Sequence, residues 1–224
     1  MKVHSLLSVA GLAFAMLSGP AVAADPVING SFEQPTVPAG TAATVTPTGW
    51  TALGGGVDIF TTGMSGGSAS SGLQFVDLIG TGQGTFPSGL YQDIFLQAGT
   101  TYQLSFDYNG QAGNPPGAIL DYSLGSLVSG SINVDGMNVF ADLAPVTAWQ
   151  TSQSLLTPAL SDTYRLTFTT SAGFFTAPFI DNVSVSEVAA AVPEPETYAL
   201  MLAGFGAIGL FGRRQRRARE RARS

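Results

Sequence analysis

Between Ala24 and Val192 the chain has no histidine, cysteine or lysine; His4 and Lys2, the sole residues of their kinds, stand ahead of that stretch. Serine–histidine triads, thiolate nucleophiles, Schiff bases and nearly all zinc or haem sites are thereby excluded. Carboxylates remain. The stretch holds twelve (Asp25, Glu33, Asp58, Asp77, Asp93, Asp107, Asp121, Asp135, Asp142, Asp162, Asp181 and Glu187) and one base, Arg165, so twelve negative charges less one leave about −11. Acids in pairs can hydrolyse a glycosidic bond, if two face each other across a cleft and one has a raised pKa. They can also hold a hard cation such as Ca²⁺. These acids are scattered one per strand or loop, the distribution of solvated surface charge. The expectation is a non-catalytic protein with no catalytic residue assigned; a glycan hydrolase using paired Asp/Glu is the alternative. A surface of this sign repels nucleic acid and anionic membranes, which excludes a nucleic-acid function.

Two acids have a more specific context. Asn29-Gly30-Ser31-Phe32-Glu33 opens the stretch, and Ile180-Asp181-Asn182-Val183-Ser184-Val185 closes it. In a sandwich whose first and last strands are neighbours, Glu33 and Asp181 can meet. Their charges then repel unless a cation sits between them with carbonyl oxygens completing six to eight ligands.

The elements that must position these residues read as strands. In Thr101–Tyr108 and Thr163–Thr169 apolar and polar residues alternate with period two. Further strands are expected at Val57–Thr61, Leu73–Ile79, Leu90–Leu96, Ile119–Leu124, Ser131–Val134, Met137–Phe140, Trp149–Leu155 and Phe179–Val185. Turns are expected at Gly66-Gly67, Asn109-Gly110, Asn114–Gly117 and Asp135-Gly136, the last as a tight hairpin joining 131–134 to 137–140. The Gly-rich stretches 54–56 and 63–72 lack the lysine and following helix of a phosphate cradle, and read as loops. About ten short antiparallel strands over one domain, 24–188, indicate an all-β sandwich of jelly-roll type. With no cysteine it has no disulfides, so the core must suffice. Trp50, Tyr91, Tyr108, Tyr122 and Trp149 are the rings available to stack on a sugar. Each is more readily a core residue, so the ligand-binding residues stay unknown. Arg165, between Tyr164 and Leu166, is expected on the outer face beside an acid.

The combination of Asn29–Glu33, Gly49-Trp50, Gly89–Ile94, Ala98–Phe106 and Ile180–Val185 resembles the galactose-binding-like jelly roll of carbohydrate-binding modules. That resemblance implies a structural Ca²⁺ on the side chains of Glu33 and Asp181 and implies carbohydrate affinity; no other cofactor is expected.

The two ends carry addresses. Met1–Ala23 has a charge at Lys2, an apolar core from Leu6 to Leu17, and the small-x-small site Ala21-Val22-Ala23, as a signal peptide does. Residues 189–192 form a small-residue linker. Beyond it lie Pro193-Glu194-Pro195, an apolar run over 198–212, and an Arg-rich tail over 213–224 with seven arginines. Arg213, Arg214, Arg216 and Arg217 act as the membrane stop, holding the C-terminus in the cytoplasm behind a short transmembrane helix. The apolar run, 15 residues long, spans only ~22 Å at ~1.5 Å per residue, against ~30 Å of hydrocarbon. In that order the three parts, 193–224, resemble the PEP-CTERM sorting domain. The resemblance implies recognition by an exosortase near Pro193, Glu194 and Pro195, after export by the Sec machinery and transient residence in the inner membrane. The destination is the envelope, surface or extracellular matrix of a Gram-negative bacterium, with exopolysaccharide as a partner. A purely structural surface protein is the remaining alternative.

Overall fold

The computed structural model describes residues 24–80, 86–111, 117–142, 146–171, 177–189 and 200–205. The chain divides into two units, Met1–Val188 and Ala189–Ser224. The strands are β1 (Ala42–Thr44), β2 (Thr51–Leu53), β3 (Asp58–Thr61), β4 (Gln74–Asp77), β5 (Ser88–Leu96), β6 (Tyr102–Gly110), β7 (Ile119–Leu124), β8 (Val128–Asn133), β9 (Gln150–Leu156), β10 (Asp162–Thr170) and β11 (Pro178–Glu187). They form a six-stranded sheet, β1-β3-β4-β11-β6-β9, and a five-stranded sheet, β2-β5-β10-β7-β8. All pairings are antiparallel. The fold is the expected antiparallel β-sandwich.

Period-two alternation places one set of side chains between the sheets. From β6, Tyr102, Leu104 and Phe106 point inward; from β5, Leu90, Ile94 and Leu96; from β10, Leu166 and Phe168; from β7, Leu120 and Leu124. Each large apolar side chain removed from water here contributes on the order of 1.5–3 kcal/mol. A run of tilted and T-shaped rings, Phe32–Trp50–Phe168–Phe106–Tyr122, crosses the core with centroids 4.9–6.2 Å apart.

The segment before β1 is stitched to both sheets by buried amides. The Gln92 side chain accepts from Ile28 N and donates to the Ile28 and Gly49 carbonyls, and Gln74 does the same for Val37, Phe32 and Pro35. Gly30 lies against β11, where a Cβ would come 1.9 Å from the Val183 oxygen, while Val183 N donates to Gly30 O at 2.9 Å. So Asn29–Glu33 is a plug against the last strand, not a first strand. β11 breaks register between Asp181 and Ser184, and Asn182 takes a left-handed φ of 51°, which asparagine tolerates better than most residues.

The sequence reading is corrected at several places. Asn109-Gly110 does not turn; both residues lie in β6. The hairpin expected at Asp135-Gly136 does not form. Instead, Asp135 accepts from Gly117 N and Ala118 N, and β8 pairs with β7 through a turn after Leu124. Met137–Phe140 is not a strand. The Asn138 side chain bonds both Phe140 N and Phe140 O, and Val139 and Phe140 enter a second apolar cluster with Phe75, Ile79, Ala177 and Phe179. That cluster covers the outer face of the six-stranded sheet, which explains a further correction. Asp58, Asp77, Asp107 and Asp181 are buried, not solvated, because a second layer of loops lies over the sheet face that carries them. The three-residue strands β1 and β2 are also absent from the sequence expectation.

Residues 200–205 are helical, with Leu200, Met201, Leu202 and Phe205 exposed. Among the described residues no helix is long and apolar enough to cross a membrane; the rest of the 198–212 run lies outside them.

Candidate functional site

The outward-facing residues of β10, β7 and β8 line a trough of about 260 Å³. Register builds it. Thr167, Ser123 and Ser129 are directly opposed across the three strands, and so are Thr169, Asp121 and Ser131. Their alternating neighbours Leu120, Leu124, Leu166 and Phe168 are buried on the other face, so the apolar side of the alternation fixes these hydroxyls outward. Asp121 is the single carboxylate among the lining residues, and it accepts a hydrogen bond from Ser131 Oγ. β5 extends both rows, with Tyr91 opposite Thr167 and Gly89 opposite Thr169.

Arg165 is the next outward residue along β10. Its Nε and Nη2 donate to Asp93 Oδ1 and Oδ2 at 2.8 and 2.9 Å, and its guanidinium carbon lies 3.8 Å from the centre of the Tyr91 ring. Hydrogen bonding to Arg165 holds the Asp93 carboxyl below its ordinary range. Arg165 is thus on the outer face beside an acid, as expected. Its charge is neutralised there.

Glu33 and Asp181 both serve one loop. Glu33 Oε1 accepts from Leu73 N and Gln74 N at 2.8 and 2.9 Å, and Asp181 Oδ2 accepts from Ser71 N at 2.8 Å. Asp107, on neighbouring β6, accepts from Ser70 Oγ, Thr151 Oγ1 and Asn182 Nδ2. Gly72 has φ +64°, and a Cβ there would lie 2.4 Å from Glu33 Oε1. The glycine- and serine-rich stretch is therefore a flap pinned by three carboxylates. Burial pushes Asp181 up to about 7, against the lowering effect of its N–H donors and with Asp107 adding repulsion. A Ca²⁺ held between Glu33 and Asp181 needs oxygens turned inward. Here N–H donors point at those oxygens, and among the described residues no three Asp, Glu, His or Cys are placed to hold a metal. Through these bonds the carboxylates latch the flap to the sheet.

A second acid pair, Asp58 and Asp77, sits directly opposed on β3 and β4. Burial, with Asp58 adding its charge, raises Asp77 to about 7. Of the candidate sugar platforms, Trp50 is buried and donates to Asn29 O. Trp149 donates to Ser68 O and packs in the outer cluster. Tyr108 and Tyr122 pack against the main core, and Tyr91 is covered by Arg165 on one face. The trough residues were missed in the sequence because alternation marks a polar face on each strand but not which strands lie side by side. The expected sites at Pro193, Glu194 and Pro195, and at Arg213, Arg214, Arg216 and Arg217, lie outside the described residues, as does the expected signal peptide over 1–23.

Residues 191–217 match the PEP-CTERM protein-sorting motif. No curated protein matches the sequence. Among solved structures, an apo-form cyclase from Fischerella sp. is similar at 16% identity and TM-score 0.56, covering 76% of this chain and 98% of that one. A cyclase from Fischerella sp. TAU, in complex with an indole compound, is similar at 18% identity and TM-score 0.55, over 76% of this chain and 100% of that one. At these identities the likeness is one of fold. The CBM22-1 xylan-binding domain of Paenibacillus barcinonensis Xyn10C is similar at 20% identity and TM-score 0.42, over 68% and 96%. The chain thus carries a PEP-CTERM motif behind an antiparallel β-sandwich, and the motif implies exosortase as processing partner and export to the cell envelope.

Proposed function

We propose that this is an exported, non-catalytic surface or matrix protein that binds neutral polysaccharide in the trough on the five-stranded sheet. The observation that carries the reading is the double row of hydroxyls flanking Asp121. Serine and threonine hydroxyls both donate and accept, and a carboxylate accepts from two sugar hydroxyls at once. Charge favours neutral glycans. The domain carries about −11, and its one base is paired with Asp93, so an acidic glycan meets repulsion and no free cation. A hydrolase needs two carboxyls across a cleft, whereas Asp121 is alone among the trough's lining residues; this supports the non-catalytic reading.

The N-terminal segment 1–23 serves as the signal peptide for Sec export from the cytoplasm of a Gram-negative cell. The tail then pauses in the inner membrane on its apolar run and arginines, and is cut near Pro193-Glu194-Pro195. The mature protein joins the exopolysaccharide layer. A structural Ca²⁺ at Glu33 and Asp181 is tested by melting with Ca²⁺ and with chelator; a latch leaves the two curves equal.

The experiment for the trough is glycan-array binding with the full chain in detergent, beside Asp121→Ala and Thr167→Val. Loss of a charge-assisted hydrogen bond weakens binding by about tenfold or more. Undiminished binding by both variants rules out the trough, and no binding to any glycan leaves the purely structural alternative.

A further inference from the structure

The two sheets have four edges, and they are not protected alike. β1 and β2 are three residues each, too short to template another strand, which is a common way of blunting an edge. β8 has six residues but carries Gly130 at its middle, and an interior glycine weakens a strand. β9 is different. It has seven residues, Gln150–Leu156, with no proline, glycine or charge, and pairs with β6 without a register break from Tyr102–Leu156 to Tyr108–Gln150. Among the described residues no strand pairs with its other side.

The surroundings point the same way. From Leu143 to Ser161 there is no charged residue, although the exported stretch holds twelve acids. Within this span Val146, Leu155 and Leu160 are 55%, 66% and 70% exposed. In a domain of about −11 nearly every face repels a second copy. Along β9 two copies can approach without bringing like charges together, and among the described residues its outer edge offers unpaired backbone donors and acceptors.

We propose that β9 pairs antiparallel with β9 of a second copy, joining two six-stranded sheets into one continuous sheet. A two-fold axis at Gln153 pairs the whole strand with itself: Gln150 with Leu156, Thr151 with Leu155, and Ser152 with Ser154. Leu155 then covers the partner's Thr151 and loses its exposure. Two troughs held on one particle bind a long polysaccharide with avidity that one trough lacks.

The register makes the test specific, because the chain contains no cysteine. Gln153→Cys places one thiol opposite its own copy. Thr163→Cys, exposed on β10 in the other sheet, is the control. Under mild oxidation of the full chain in detergent, Gln153→Cys gives a covalent dimer and Thr163→Cys remains a monomer. Light scattering of the unmodified chain shows a dimer, and Gln153→Lys, which sets two like charges directly opposite each other at the axis, raises its dissociation constant by about tenfold or more. A monomer at ~100 μM overturns the proposal, because a specific contact is populated well below that concentration. Equal cross-linking by the two cysteine variants also overturns it, as does a dimer indifferent to Gln153→Lys; either result places the association in the tail or elsewhere.

Discussion

Replacing Asp77 with asparagine tests the buried acid pair and, with it, the layered arrangement over the six-stranded sheet. Asp77 is buried, stands opposite buried Asp58, and accepts from Ile79 N at 2.8 Å. Asparagine keeps that acceptor and removes the charge. Burial first, and Asp58 second, raise the folded-state pKa from 3.8 to about 7. The sign follows from linkage. The charged form is penalised only in the folded state, so the contribution to stability is full below the unfolded pKa and is lost as pH rises towards the folded one. In that window the loss is about 1.4 kcal/mol per pH unit, or roughly 3 kcal/mol between about pH 5 and 7 as an upper figure. For a domain of this size that is a fall in Tm of roughly 6–12 °C. Asp181, also raised to about 7, titrates in both proteins and cancels in the difference. Thermal melts from about pH 5 to 8 at fixed ionic strength read it out. The wild type is expected to lose stability across the window faster than Asp77→Asn, with the variant the more stable at the alkaline end. Parallel curves would show that Asp77 reaches water and that the loop layer does not seal this face.

Further outcomes follow from single contacts. Gly30→Ala drives a methyl into the Val183 carbonyl and is expected to cost about 3 kcal/mol or more, read as a drop in Tm. Glu33→Gln weakens the latch on Leu73 and Gln74. It is expected to cost about 1–3 kcal/mol and to open the 68–73 flap to limited proteolysis while β5 and β10 stay protected. A polyuronate oligomer is expected to bind about tenfold or more weakly than a neutral one of equal length, and the gap should narrow as salt is raised. Asp93→Asn frees the Arg165 guanidinium and should restore part of the acidic oligomer's affinity, measurable by calorimetry. In the native host, Glu194→Ala is expected to retain the full-length chain in the membrane fraction, and mass spectrometry of the wild-type mature protein should find its C-terminus near Pro193.

The parts of the fold legible in the sequence are those where local chemistry and tertiary demand agree. Ile119–Leu124 is β7 as expected, and β6 follows the alternation read over Thr101–Tyr108 but runs on through the turn expected at Asn109-Gly110. Asp135-Gly136 failed because a turn signal says where the chain can bend, not which strand receives it; Asp135 was needed to cap Gly117 and Ala118. The buried acids were illegible for a related reason. Asp107 and Asp181 occupy the polar half of an alternating pattern, which normally means solvent, and only a loop some 35 residues or more distant in sequence covers them. The trough has the same origin: Thr167, Asp121 and Ser131 lie on three strands, and no single stretch displays them together. The tail was the opposite case, since motif, apolar run and arginines are contiguous and match as one unit.

The most direct test is an amide chemical-shift titration of the ¹⁵N-labelled chain with a neutral oligosaccharide that the array selects. Shifts concentrated at Asp121, Ser123, Ser129, Ser131, Thr167 and Thr169 are expected, with the flap over Asp107 and Asp181 unmoved. Shifts centred on that flap or on the six-stranded face, with the trough silent at saturation, would contradict a polysaccharide site on the five-stranded sheet.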